Sequence, residues 1–80
     1  MSFDYSKLLG RIIEIYGTRG AFGEAMGWAN STLWAKLNNK VEWTQGEIKR
    51  GARLLSIEDG DISLYFFTPK VQKTEPEEVV

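Results

Sequence analysis

The chain has 80 residues, with 10 Lys or Arg against 11 Asp or Glu and neither Cys nor His, which fits one small domain of nearly balanced charge. A disulfide framework, a Cys/His zinc site, a thiolate nucleophile and an imidazole base are all excluded. Any remaining enzyme chemistry would need Ser, Lys or carboxylates, and no spaced motif sets them up, so a protein without catalysis, metal or cofactor is expected. With no staples, the 42% of residues that are hydrophobic must supply the core alone, a constraint that compact helical packing suits.

The start, Met1-Ser2-Phe3-Asp4-Tyr5, has neither the basic nor the apolar region of a signal peptide. Apolar runs elsewhere fall short of a membrane span, so no membrane partner and a cytoplasmic location are expected. A sequence pI of about 5.4 argues against nucleic acid, because duplex affinity comes mostly from Lys and Arg on phosphates. The distribution of charge changes that. From Lys7 to Arg53 there are eight basic residues (Lys7, Arg11, Arg19, Lys36, Lys40, Lys49, Arg50, Arg53) against four acidic ones (Glu14, Glu24, Glu42, Glu47). Glu58, Asp59 and Asp61 gather at one turn, where helix capping explains them better than calcium, and Glu75, Glu77 and Glu78 mark an acidic tail.

In chain order, Asp4 can cap a first helix to Tyr16, with Leu9, Ile12, Ile13 and Tyr16 at helical spacing and Gly17 as its stop. Thr18 can cap a short second helix through Met26, with Phe22, Ala25 and Met26 inward. After Gly27, a third helix from about Ser31 to Asn38 carries Leu33 and Leu37 inward, and Asn30 is the expected cap. Thr44-Gln45-Gly46-Glu47 matches a capping box that opens a helix to about Leu55 with Ile48, Ala52 and Leu55 inward. Ser56 to Gly60 reads as a turn and Asp61 to Phe66 as a last short helix, stopped by Pro69. The expected division is a helical domain over 1–67 and an extended, acidic, partly disordered tail over 68–80. Phe66, Phe67 and Val71 can pack either on this core or at a dimer interface.

Two short helices joined by a glycine turn form the unit that places a recognition helix in a major groove. Gly23 suits the closest approach of the two helices, Gly27 the positive φ of the turn, Trp28 a plug there, and Leu33 and Leu37 the seating of the third helix. Trp43 is likewise expected in the core. On the third helix, Ser31, Thr32, Ala35 and Asn38 point outward, with Trp34 on one flank and Lys36 on the other. Asn38 can pair with an adenine edge, and Ala35 or Trp34 can touch a thymine methyl, but no Arg is there for guanine. The base-reading or partner-binding face is therefore Asn30, Ser31, Thr32, Trp34, Ala35 and Asn38. Arg19, Lys40 and Thr44, with Lys36, are the phosphate-contacting candidates. Trp34 is equally consistent with a half-buried boundary position and an exposed contact, while Lys49, Arg50 and Arg53 read as a solvated face.

The run Gly17-Thr18-Arg19-Gly20-Ala21-Phe22-Gly23 through Leu37-Asn38-Asn39-Lys40 resembles the helix-turn-helix of phage Cro/CI-type repressors. The segments Phe3 to Leu8, Leu37 to Val41 and Tyr65 to Gln72 are similar to the small Cro-like regulators of Gram-positive phages and prophages. The resemblance covers about Phe3 to Gln72. It implies a five-helix, all-α, lambda-repressor-like fold, double-stranded operator DNA as target and a role in the lysis/lysogeny decision in a bacterial host. The family usually has Ala at the place of Gly23, a small aliphatic residue at that of Trp28 and a capping Ser or Thr at that of Ala29. It also tends to put Gln, Arg or Lys on the outer face that is thin here. That departure supports an alternative in which the same fold docks through Trp34 and Ala35 on a CI-type repressor and blocks its DNA contacts.

Overall fold

The computed structural model describes residues 2–70, in which five α-helices follow one another: α1 Ser6–Tyr16, α2 Arg19–Met26, α3 Asn30–Leu37, α4 Gln45–Leu54 and α5 Ile62–Phe66. A single 3-10 turn, Asp59–Asp61, leads into α5. The described residues contain no strand. One isolated antiparallel bridge joins Phe3 to Pro69, flanked by the Asp4 N–H donating to Thr68 O (2.7 Å) and the Lys70 N–H to Ser2 O (3.3 Å). Thr68 to Lys70 are thus held against the N-terminal arm. Residues 71–80, with most of the expected acidic tail and with Val71, lie outside the described residues. No described helix is long and apolar enough to cross a membrane.

Local chemistry accounts for most helix starts. Thr18 caps α2 by accepting the Ala21 N–H at 3.1 Å. Thr44 and Glu47 form a reciprocal capping box on α4: the Thr44 hydroxyl accepts the Glu47 N–H (3.1 Å) while Glu47 Oε1 accepts the Thr44 N–H (2.9 Å). Asp4 acts one position earlier than expected. Tyr5 is the N-cap residue of α1, and Asp4 Oδ1 accepts the Ser6 N–H at 2.9 Å. Those hydrogen bonds from Ser6, with a smaller contribution from Lys70, hold the Asp4 carboxyl below its usual pKa. Around the last turn, none of Glu58, Asp59 or Asp61 matches the expected capping role, since neither the 3-10 turn nor α5 has a side-chain bond from its N-cap residue.

Three helix ends close in one way, with a left-handed residue followed by an N–H that reaches back five residues. Gly27 (φ 80°) ends α2, with the Trp28 N–H on Gly23 O at 2.8 Å. Asn39 (φ 63°) ends α3, with the Lys40 N–H on Ala35 O at 2.8 Å, and Ser56 (φ 55°) ends α4, with the Ile57 N–H on Ala52 O at 2.8 Å. Only the first of these uses glycine, the residue with no Cβ penalty in this region. At Ser56 a Cβ in left-handed backbone costs roughly 1 kcal/mol or more, partly offset in glycine by the greater freedom of the unfolded chain. Ser56→Gly is expected to raise stability by up to about 1 kcal/mol, read as a higher urea midpoint at unchanged m-value.

The core collects Leu8 and Ile12 from α1, Phe22 and Met26 from α2, Leu33 from α3, Trp43 from the connecting loop, Ile48 and Ala52 from α4, then Leu55, Ile57 and Phe66. Trp43 stands at the centre of an aromatic set, edge-on to Trp28 (centroids 5.3 Å apart) and to Phe66 (5.1 Å). Its Nε1 has no hydrogen-bond partner. The α1 stripe is rotated from its expected position. Leu8 and Ile12 are buried, Leu9 and Tyr16 half-buried, and Ile13 faces solvent, because α1 turns its Leu8 side toward the bundle. Ala25 is also exposed, leaving Phe22, Gly23 and Met26 as the buried side of α2. Phe66 fills the core, whereas Phe67 stays exposed and packs edge-on against Phe3 at 5.6 Å.

Two arginines tie helix ends together from a distance. Arg11 on α1 donates to Leu55 O (2.9 Å) and Ser56 O (3.3 Å), satisfying carbonyls at the end of α4. Arg50 on α4 donates to Met26 O at the end of α2. Arg50 stays exposed like Lys49 and Arg53, as expected of a solvated face, and its guanidinium also supports the turn into α3.

Candidate interaction face on helix α3

The α2–turn–α3 unit is closely packed at Gly23. A Cβ there would lie 3.4 Å from Trp28 O and 3.6 Å from Leu33 Cδ2, ordinary contact distances, so alanine would fit and only a longer side chain would press α2 away from α3. The connection is Gly27-Trp28-Ala29, and Trp28 is half-buried over the core rather than fully inside it. Helix α3 begins one residue earlier than expected: its N-cap is Ala29, which has no side chain able to cap, and Asn30 is the first helical residue. Asn30 Oδ1 instead lies over Gly20, 3.4 Å from where a Cβ would be.

Lys36 overturns the sequence expectation most clearly. Expected on the outer flank as a phosphate contact, it is only 6% exposed. Its Nζ donates to Glu47 Oε1 (2.6 Å) and Glu42 O (3.0 Å) and lies 5.2 Å from the centre of the Trp28 ring. Two of its three N–H donors are taken, and burial keeps the ammonium group from the surface where a phosphate was expected. Burial of Glu47 works against its charged form but is outweighed by hydrogen bonds from Lys36 and Thr44 and by the Lys36 charge, leaving its carboxyl below the ordinary range. Thr44 is similarly occupied. Its hydroxyl accepts the Glu47 N–H and its own N–H donates to Glu47, so a carboxylate already stands where a phosphate was expected.

On the outer side of α3, Asn30, Ser31, Thr32 and Trp34 are exposed, Trp34 by 54%. This resolves Trp34 as a surface residue. Asn38 is exposed too, but its Nδ2 donates to Trp34 O at 2.8 Å, so the donor half of an adenine pair is turned back on the helix. Ala35 is half-buried, since the chain folds back to place the Lys40 and Val41 N–H groups on its carbonyl. Leu33 is buried, and Leu37 is half-buried against the core. Thr18, Arg19, Gly20, Asn30, Ser31, Leu33, Trp34 and Leu37 together line an open groove of about 530 Å³ between the start of α2 and α3. Arg19 and Lys40 are exposed, and among the described residues neither makes an ion pair.

Asn39 went unassigned at the level of sequence. Its Oδ1 accepts the Phe3 N–H (3.0 Å) and its Nδ2 donates to Phe3 O (2.9 Å), pinning the N-terminal arm beside the end of α3. A left-handed Asn signals a helix end, but nothing local announces a partner 36 residues away.

Fold and face together define a small all-α protein with helix-turn-helix connectivity whose exposed third helix carries a tryptophan and no free cation. The chain belongs to the family described as "Protein of unknown function (DUF739)", whose model matches residues 1–69. It is similar to a solved structure, the solution structure of the modulator of repression (MOR) of the temperate bacteriophage TP901-1 from Lactococcus lactis. The two are 46% identical, with 90% of this chain and 97% of that chain covered and a TM-score of 0.75. No curated protein matches the chain. The similarity is thus to a phage regulator, and specifically to a modulator of repression rather than to a Cro or CI repressor.

Proposed function

We propose that this chain is a phage modulator of repression, acting in the lysis/lysogeny decision by docking the outer face of α3 on a CI-type repressor protein. The single observation that carries the reading is the state of α3, whose one cation, Lys36, is buried in an ion pair while Trp34 stands exposed. A base-reading helix depends on charged and amide groups free to reach the groove floor. A protein interface depends on a large aromatic anchor that loses water on contact. The 46% identical modulator of repression supports the second kind of face. This reading is of a binding module, with no reaction, metal or cofactor assigned to it.

Operator DNA, as in the Cro-like reading, is the second candidate partner. Arg19 and Lys40 favour it as exposed cations flanking α3, and both could hold phosphates. Calorimetric titration against the DNA-binding domain of the CI-type repressor from the same phage tests the proposal. Trp34→Ala is expected to weaken that association by at least about 2 kcal/mol, roughly 30-fold. Unchanged affinity would remove Trp34 as the anchor.

A further inference from the structure

Helix α1 turns its Leu8 side toward the bundle, which leaves a second apolar flank outside. On that flank Leu9 is half-buried, and Ile13, one turn further along, is 44% exposed. Leu9 lines a hollow of about 330 Å³ together with Arg19 at the start of α2 and Leu37 at the end of α3. Arg19 and Leu37 also line the groove beside Trp34. The two depressions share these walls, so the apolar surface that begins at Trp34 runs past Leu37 to Leu9, with Ile13 next along α1.

Gly10 is three residues before Ile13 and therefore its neighbour on the helix surface. It is exposed, and a Cβ there would meet nothing within 4 Å, so no close contact in the described fold calls for glycine. Inside a helix glycine costs stability relative to alanine, and what it offers in return is a backbone open to close approach from outside. The charge beside this flank is positive. Arg19 is exposed and makes no ion pair among the described residues, and Lys70 adds a second cation to the hollow. Asp4, an acid on the hollow's wall, is engaged by the Ser6 N–H.

We propose that the docking face extends from α3 across Arg19 onto the flank of α1 that carries Leu9 and Ile13, and that its occupant is an amphipathic helix of the repressor. That helix sets apolar side chains one turn apart against Trp34, Leu37 and Ile13, and a carboxylate against Arg19. A helix fits because the apolar residues of the face stand three or four positions apart on two helices, with a groove and a hollow joined between them. Arg19 and Lys70 select the charge, since a carboxylate is attracted there and a cation repelled. The inference rests on the reading of this chain as a repressor-binding module and adds where the partner lies and what it carries.

The test is calorimetric titration of the repressor's DNA-binding domain with variants of the full chain. Ile13→Gln and Gly10→Gln are each expected to weaken association at least about tenfold, whereas Ile15→Gln, equally exposed at 44% on the other flank of α1, should leave it within about twofold. All three are expected to keep the wild-type fold by circular dichroism and thermal unfolding, since none of these positions is enclosed. Arg19→Glu should weaken association about tenfold in about 0.01 M salt and less in about 1 M. Unchanged affinity in Ile13→Gln and Gly10→Gln would overturn the α1 flank, as would an equal loss in Ile15→Gln, and a tighter Arg19→Glu complex would overturn the carboxylate. Such results beside a weakened Trp34→Ala leave the α3 reading standing. Losses in the α1 variants with Trp34→Ala unchanged would support the flank and remove the anchor assigned above, and a wild-type chain that does not bind would overturn both.

Discussion

Replacing Lys36 with alanine is expected to cost about 1 to 3 kcal/mol, a large share of the stability of a domain of this size, because it removes a buried side chain and leaves the part-buried Glu47 carboxylate without its partner. Glu47, only partly exposed, would lose its 2.6 Å contact, and Glu42 O its donor. The same ammonium group joins α3 to the capping box of α4, so the loss reaches two helices. Lys36→Met with Glu47→Gln, which removes both charges but keeps the stems and an acceptor for the Thr44 N–H, should recover much of the stability. Urea unfolding of the two variants beside the wild-type chain checks this, and a Lys36→Ala loss below about 1 kcal/mol, the range of a surface pair, would contradict the burial of Lys36 in this pair.

A pH dependence follows from the same pair. The Glu47 carboxyl is held below its ordinary value of 4.5, so the unfolded chain takes up its proton at higher pH than the folded one. Its contribution to stability is therefore complete above the ordinary value and is lost as pH falls through the depressed one. In Lys36→Met the depression shrinks, and the fall in stability over that acid window should be shallower than in the wild-type chain.

Leu33→Ala is expected to cost about 2 to 5 kcal/mol through loss of buried surface and the cavity left behind. Leu33 is 2% exposed, and its side chain faces Gly23, which has no side chain to move into the gap. Leu37→Ala should cost less, since Leu37 is only half-buried. Thermal unfolding should rank the two in that order, and the reverse ranking would mean that α3 is seated on its Leu37 side.

The contrast between these residues shows what the sequence could and could not reveal. Thr18, the Thr44–Glu47 capping box and Gly27 act on backbone groups within a few positions of themselves, so their roles were legible from spacing alone. Leu33 was legible because α3 is short and has few apolar residues to choose from. Lys36 was not, because its place is set by Glu47, eleven residues on, and by the Glu42 carbonyl, and a helical wheel shows neither. Asn39 and Arg50 escaped for the same reason, each bonding to backbone far away in the chain. The rotation of the α1 stripe toward Leu8 depends on which neighbours cover it, a tertiary choice among several apolar residues with similar spacing.

For the candidate face, the residue types were legible and their availability was not. Trp34 could have faced either way, and packing left it outside. Asn38 offered a donor and an acceptor on paper, yet its donor closes the end of its own helix. Helix α3 carries no Arg, and the fold buries its one Lys, Lys36.

The most direct test of the central claim is fluorescence anisotropy of labelled operator DNA already bound by the CI-type repressor, followed as this chain is added. Docking of α3 on the repressor predicts that the wild-type chain releases the operator and lowers the anisotropy, while Trp34→Ala does so only at about 30-fold higher concentration. A rise in anisotropy without repressor release, and binding of the chain to the free operator that weakens steeply with salt, would contradict it and make DNA the partner.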